Sequence, residues 1–271
     1  MNQFAVDSHH IAYQDIGQGP VLVLGHSFLW DSQMWAPQIE VLSQHYRCIV
    51  PELWSHGASS HAPQGKNSLK NYAQAILELM DHLQVETFSI IGLSVGGMWG
   101  AELTCMAPER VKSLVLMDTF VGLEPEVAHN KYFAMLETIS AAQMVPMPIV
   151  ENVVPLFFAP KTIEANPVFV QRFAKELAAI SGEQAVEVAR IGRMVFGRRD
   201  LMEEVEKLAL PVLIAAGQQD KPRPMLESFL MHDAIAGSQL VQIPDAGHIA
   251  NLEQPEFVNK MLVEFLSGLY Q

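Results

Sequence analysis

SIIGLSVGGMWG, residues 89–100, joins an apolar run ending at Gly92 to a patch of small residues beginning at Gly96, with one hydroxyl, Ser94, between them. Residues 87–93 read as a strand buried on both faces, and Val95–Met106 reads as a helix. A turn this sharp pushes the serine into a strained backbone conformation and lifts its hydroxyl above the sheet edge. Residues two before and two after crowd the turn, which is why glycine suits Gly92 and Gly96. Gly97, Gly100 and Ala101 let the helix lie close to the sheet. The helix also aims its first N–H groups at the space beside Ser94, where an oxyanion would form. G-x-S-x-G by itself also fits a glycine-rich turn with a solvated serine, or a phosphate loop. The strand before it and the helix after it favour the nucleophile reading.

Outward from this turn the chain alternates. A short hairpin is expected over 3–6 and 10–15, then strands at 21–26, 47–53, 87–93 and 113–118. Helices are expected from near Met34 to His45, capped by Asp31 or Ser32, and from Ser68 to Leu83. The alternation stops at Thr119. Up to Ala209 the pattern is helical, punctuated by prolines and without a clear strand. It resumes with a strand at 211–217, a helix at 223–236, a strand at 239–244 and a helix at 254–268. This predicts an α/β fold, a mostly parallel twisted sheet covered by helices on both faces. The core would comprise 1–118 and 210–271, with 119–209 inserted as a helical cap.

Two further residues share the chemistry of Ser94. Asp220 follows the strand at 211–217 in GQQD, and His248 follows the strand at 239–244 in DAGH. Ser, Asp, His is the chain order of one known triad arrangement.

The segments VLVLGHSFLWDSQMW, PELWSHGASS, IGLSVGGMWG, LIAAGQQD and DAGHIANLEQPEFV, in this order, resemble the α/β-hydrolase fold family over essentially the whole length. Within it, the chain looks most like small esterases, enol-lactone hydrolases and cofactor-free perhydrolases. The resemblance implies Ser94 as nucleophile, His248 as general base and Asp220 as the carboxylate that fixes the imidazole tautomer. It implies an oxyanion hole from the N–H groups of Phe28 and Val95. One departure stands out: the family usually has His-Gly in the first loop, and here it is His26-Ser27.

Other residues have plainer readings. Asp118, ending the strand 113–118, is the alternative position for the acid, although GQQD favours Asp220. Asp245 reads as a turn residue. His26 and His56 read as structural hydrogen-bonding groups, and the remaining histidines show no ligand spacing, so neither a metal nor another cofactor is expected. Trp30 and Trp54 are candidate pocket walls, and Trp99 a core residue. Among the cap's apolar residues, Met135, Met144 and Phe157 are candidates to face substrate. Arg193, Arg198 and Arg199 read as a solvated cluster. Cys48 and Cys105 read as reduced packing residues.

Composition sets limits. The 271 residues carry a formal net charge of −13, with 17% charged and 49% hydrophobic residues. Such a surface disfavours nucleic acid and anionic lipid. No basic-then-apolar leader and no apolar run of membrane-spanning length appear, so a cytoplasmic location is expected. The expected function is a serine hydrolase acting through an acyl-enzyme on a small or medium, mainly apolar carboxylic ester or lactone. A carbon–carbon bond hydrolase, a cofactor-free perhydrolase and a ligand-binding receptor on the same fold are the alternatives. Oligomeric state stays open, a homo-oligomer included.

Overall fold

A computed structural model describes residues 1–270. The chain begins with β1 (Asn2–Val6), β2 (His9–Ile16), β3 (Val21–Gly25), α1 (Ala36–Leu42), β4 (Arg47–Pro51), α2 (Leu69–His82), β5 (Phe88–Leu93), α3 (Val95–Met106) and β6 (Val111–Met117). Six helices follow: α4 (Glu126–Ala142), α5 (Met147–Phe157), α6 (Pro160–Ala165), α7 (Pro167–Ala179), α8 (Glu183–Phe196) and α9 (Met202–Val205). The sheet then resumes with β7 (Val212–Gly217), α10 (Met225–Ala234), β8 (Gln239–Ile243), α11 (Ala250–Glu253) and α12 (Pro255–Ser267).

The eight strands form one sheet in the order β1-β2-β4-β3-β5-β6-β7-β8. The hairpin β1-β2 and the pair β2-β4 are antiparallel, and the other neighbours are parallel. Strand periodicity sorts the apolar side chains into two layers. Val23, Ile90, Leu116 and Ile214 pack with α2, α3 and α10, whereas Leu24, Ile91, Val115 and Leu213 pack with α1 and α12. This leaves the C-terminal strand ends open for loops, the usual place for ligand sites in such sheets.

Two expected boundaries shift for local reasons. The helix expected over 34–45 is a 3-10 turn at Ser32–Trp35 followed by α1, because Pro37 has no N–H and suits only the first α-helical turn. Asp31 caps it, accepting a 2.8 Å bond from the Gln33 N–H. The last helix, expected over 254–268, runs as α12, and Gln254, before Pro255, separates it from the short α11. The strand expected at 113–118 runs two residues earlier and ends at Met117, since Asp118 turns to φ +45°. In the span 119–209, prolines mostly open helices rather than break them: Pro148, Pro160 and Pro167 sit in first turns, and only Pro155 lies inside one. The only β pairing in that span among the described residues is an isolated bridge, Met144 to Ser181. No described helix is long and apolar enough to cross a membrane.

Candidate active site

Ser94 sits between β5 and α3 at φ +56° and ψ −119°, a conformation that costs a side-chain-bearing residue strain energy. Hydrogen bonds hold it there. Its N–H donates to Met117 O at 2.9 Å, and its carbonyl accepts from Gly97 N–H at 3.0 Å and Thr119 Oγ1 at 2.6 Å. The glycine spacing has a steric cause. A Cβ on Gly92 would lie 2.3 Å from the Gly96 backbone, and one on Gly96 would lie 2.1 Å from Gly25 O. Gly25 and Gly92 are register partners on β3 and β5, so the start of α3 rests directly on bare sheet backbone. Gly96→Ala is therefore expected to lower stability by about 1–3 kcal/mol or more. A urea unfolding midpoint equal to wild type would contradict this.

The loops after β7 and β8 bring the other two residues to Ser94. His248 Nε2 lies 2.9 Å from Ser94 Oγ, and His248 Nδ1 lies 2.9 Å from Asp220 Oδ2. An ionised Asp220 holds the imidazole proton on Nδ1, leaving the Nε2 lone pair to accept from the serine hydroxyl. Asp220 Oδ1 accepts from the Arg223 N–H at 2.9 Å. The His248 N–H donates to Phe157 O at 3.0 Å, so α5 helps to seat the histidine loop. Glu253, which carried no signal in the sequence, braces that loop too. Its two oxygens accept from Gly247 N–H and Ala159 N–H at 2.7 and 2.8 Å.

Phe28 lines the same chamber as Ser94 and His248, and Val95 is the first residue of α3, directly after Ser94. The loop bearing Phe28 is fixed by two buried histidines. His26 Nδ1–H donates to Ser27 O and its Nε2 accepts from Leu53 N–H, both at 2.8 Å. His56 Nδ1–H donates to Trp54 O at 2.9 Å and its Nε2 accepts from Leu29 N–H at 3.1 Å. Burial pulls their pKa values down to about 4 and about 3, so both stay neutral with every ring nitrogen engaged. Neither is free to act as a base. Ser27 also lines the chamber, but its hydroxyl leans on Phe28 O at 3.4 Å.

Asp118 is fully buried near this cluster, and its Oδ1 accepts from Gly217 N–H at 2.7 Å. Burial first, and the adjacent Asp220 second, push its carboxyl well above the usual range. Asp245, at φ +53°, is a turn residue paired with Lys161.

A model of the α/β-hydrolase fold matches residues 20–147. The solved enol-lactonase from Burkholderia xenovorans LB400 superposes with a TM-score of 0.87 and 26% identity, covering 98% of this chain and 100% of that one. This is an α/β-hydrolase-fold protein. A thermophilic esterase from Thermogutta terrifontis, solved with malate bound, gives a TM-score of 0.89 and 28% identity over 99% of this chain and 97% of that one. The 3-oxoadipate enol-lactonase 2 of Acinetobacter baylyi is 27% identical over 249 residues, 91% of this chain and 89% of that one. These three are ester or lactone hydrolases by name.

Within this α/β-hydrolase-fold protein the chamber above Ser94 is almost wholly apolar. Met135 and Phe157 line it, as expected, with Leu136, Ile139, Ile149 and Val153. Three expected pocket residues do not. Met144 is 48% exposed, because α4 ends at Gln143 in the left-handed conformation and the chain leaves the chamber there. Trp54 is fully buried in the core, edge-on to Tyr72 of α2 at 5.1 Å. Trp30 stands outside the chamber, walling an adjoining groove and stacked on Phe173 of α7. Trp99 is a core residue.

The arginine cluster is also corrected. Arg198 is buried, not solvated, and donates to Glu124 at 2.8 Å. Arg199 makes a two-pronged bond to Glu102 at 2.8 and 2.9 Å, and Arg193 pairs with Glu137. Arg223, missed in the sequence, lines the chamber and shares Glu124 with Arg198. Glu124 precedes α4 and Arg198 follows α8, so this buried pair ties both ends of the helical span to the Asp220 loop. Cys48 and Cys105 are free thiols, with pKa values pushed by burial up to about 12 and about 11.

Proposed function

We propose that this chain is a serine hydrolase cleaving a small or medium, mainly apolar carboxylic ester or lactone through an acyl-enzyme. The observation that carries the reading is His248, whose two ring nitrogens bridge Ser94 and Asp220 at 2.9 Å each beside an apolar chamber. Ser94 Oγ attacks the carbonyl carbon as His248 Nε2 takes its proton, and Asp220 stabilises the imidazolium. The N–H groups of Phe28 and Val95 receive the oxyanion. The tetrahedral intermediate collapses, the ester C–O bond breaks, and His248 gives its proton to the departing alkoxide. Water, deprotonated by the same nitrogen, then releases the acid. Residues 119–209 act as a cap that selects the acyl group, above a core of 1–118 and 210–271. The named activities of the enol-lactonase and esterase relatives support this reaction class.

The test is turnover of chromogenic acetate and butanoate esters, with peptide mapping of the serine labelled by a fluorophosphonate. Label on any serine other than Ser94 overturns the assignment. The cap reading adds a second expectation. A hydrophobic pocket discriminates by roughly 1–3 kcal/mol per methylene, so truncation changes a profile gradually. Met135→Ala and Phe157→Ala are expected to shift the optimum of kcat/KM toward longer acyl chains in a series from acetate to octanoate. Met144→Ala should follow wild type along the whole series, and a shift there instead would relocate the pocket.

A further inference from the structure

The Ser94 chamber adjoins a groove on the outside of the molecule, bounded by the loop after β3, the turn at 55–57 and helices α7 and α8. The two spaces share three lining residues, Leu29, Leu177 and Val188. These come from three separate elements and stand at the boundary, or neck, between the spaces. Ser94 and His248 are only 6% and 3% exposed, so a substrate has to enter the fold to reach them. The neck is built into the backbone. Leu29 sits at φ +68°, strained for a bulky residue, and its N–H is held by the neutral His56 ring.

The chemistry changes across the neck. The chamber is almost wholly apolar, with Phe28, Tyr132, Phe157 and Phe196 among its aliphatic residues, whereas the groove combines a stacked aromatic wall with a polar rim. Trp30 lies flat on Phe173, with centroids 4.7 Å apart and planes at 8°, and Phe169 flanks it at 6.0 Å. Asp31, Arg172, Glu176 and Gln184 stand around them. The Trp30 indole N–H is buried and has no hydrogen-bond partner, a donor whose cost falls if a ligand supplies an acceptor.

We propose that this groove is the leaving-group subsite of the Ser94 site. The ester's alcohol half crosses the neck, and the preferred substrate joins a compact apolar acyl group to an aromatic alcohol bearing a hydrogen-bond acceptor. The proposal rests on the acyl-enzyme reading above, which also sets the orientation. After the C–O bond breaks, the acyl group stays bonded to Ser94 Oγ while the alcohol, carrying the proton from His248, leaves and water enters. The half that stays belongs in the chamber that holds Ser94 and His248, and the half that departs first belongs in the groove beyond them.

The experiment compares kcat/KM for para-methoxybenzyl butanoate and ethyl butanoate. Wild type is expected to favour the aromatic ester. Trp30→Ala and Phe169→Ala, each checked for folding by thermal unfolding, are expected to lower that preference by about tenfold, the scale of a lost aromatic contact. The acyl-length profile of both variants should stay parallel to wild type. An unchanged preference in the folded variants, or a changed acyl profile, overturns the subsite. A second arm measures binding of para-methoxybenzyl butanoate to Ser94→Ala protein, expected to weaken about tenfold when Trp30→Ala is added. If wild type turns over neither ester, the hydrolase reading falls. The binding arm then decides the groove alone, and equal affinity with and without Trp30 overturns it.

Discussion

Ser94→Ala protein is expected to lose ester hydrolysis by about a thousandfold or more while remaining folded. In the proposed mechanism the hydroxyl oxygen forms the acyl bond, and alanine has no group to replace it. Alanine also suits the site structurally. The bonds that hold the strained turn run through the Ser94 N–H and carbonyl, to Met117 and Thr119, not through Oγ. Alanine faces the same backbone strain as serine at φ +56° and adds no volume. Any residual turnover would come from the chamber and the proposed oxyanion donors, the Phe28 and Val95 N–H groups, which remain. Because the residues act as a unit, Ser94→Ala with His248→Ala should be scarcely worse than either alone. The readouts are kcat/KM on a butanoate ester, loss of fluorophosphonate labelling, and a urea midpoint near wild type. A variant that keeps more than about a tenth of wild-type kcat/KM would remove Ser94 from the chemistry.

What could be read from the sequence, and what could not, follows from how local each signal is. The turn at Ser94 was legible because its constraint lies within a few residues: Gly92 and Gly96 touch each other, and α3 begins and ends where the pattern placed it. The strands were legible because burial on both faces leaves unbroken apolar runs. Asp220 and His248 were legible through their place after strands and through the family resemblance. The pocket was not. Met135 and Met144 are the same residue type in the same helical segment, yet one lines the chamber and the other is exposed. The difference is set by where α4 stops and how it lies over the sheet. Trp54 and Trp30 flank the site in sequence, but Tyr72 and Phe173, from distant helices, claim their rings. Arg198 looked solvated because its partner, Glu124, is 74 positions away. Charge type in a sequence carries no information about such a long-range pair.

The second large effect separates two buried carboxylates that sequence order alone leaves in competition. Asp220→Asn is expected to lower kcat/KM by up to roughly four decades. An asparagine amide facing Nδ1 favours the imidazole tautomer with its proton on Nε2, which cannot accept from Ser94 Oγ. It also leaves the imidazolium without a counter-charge. Asp118→Asn is expected to cost about tenfold or less, the scale of a neutral hydrogen bond. Asp118 accepts from the Gly217 N–H, a role the asparagine carbonyl can keep. Burial and the proximity of Asp220 raise the Asp118 pKa, which favours its neutral form, so a neutral amide preserves the local charge. The two isosteric changes therefore differ in one respect: only the first alters the group bonded to His248 Nδ1. Steady-state kinetics of both variants on one butanoate ester, at a pH where wild type is fully active, give the ranking. A reversed order would assign the catalytic carboxylate to the end of β6 and leave Asp220 as the residue that merely braces the Arg223 loop.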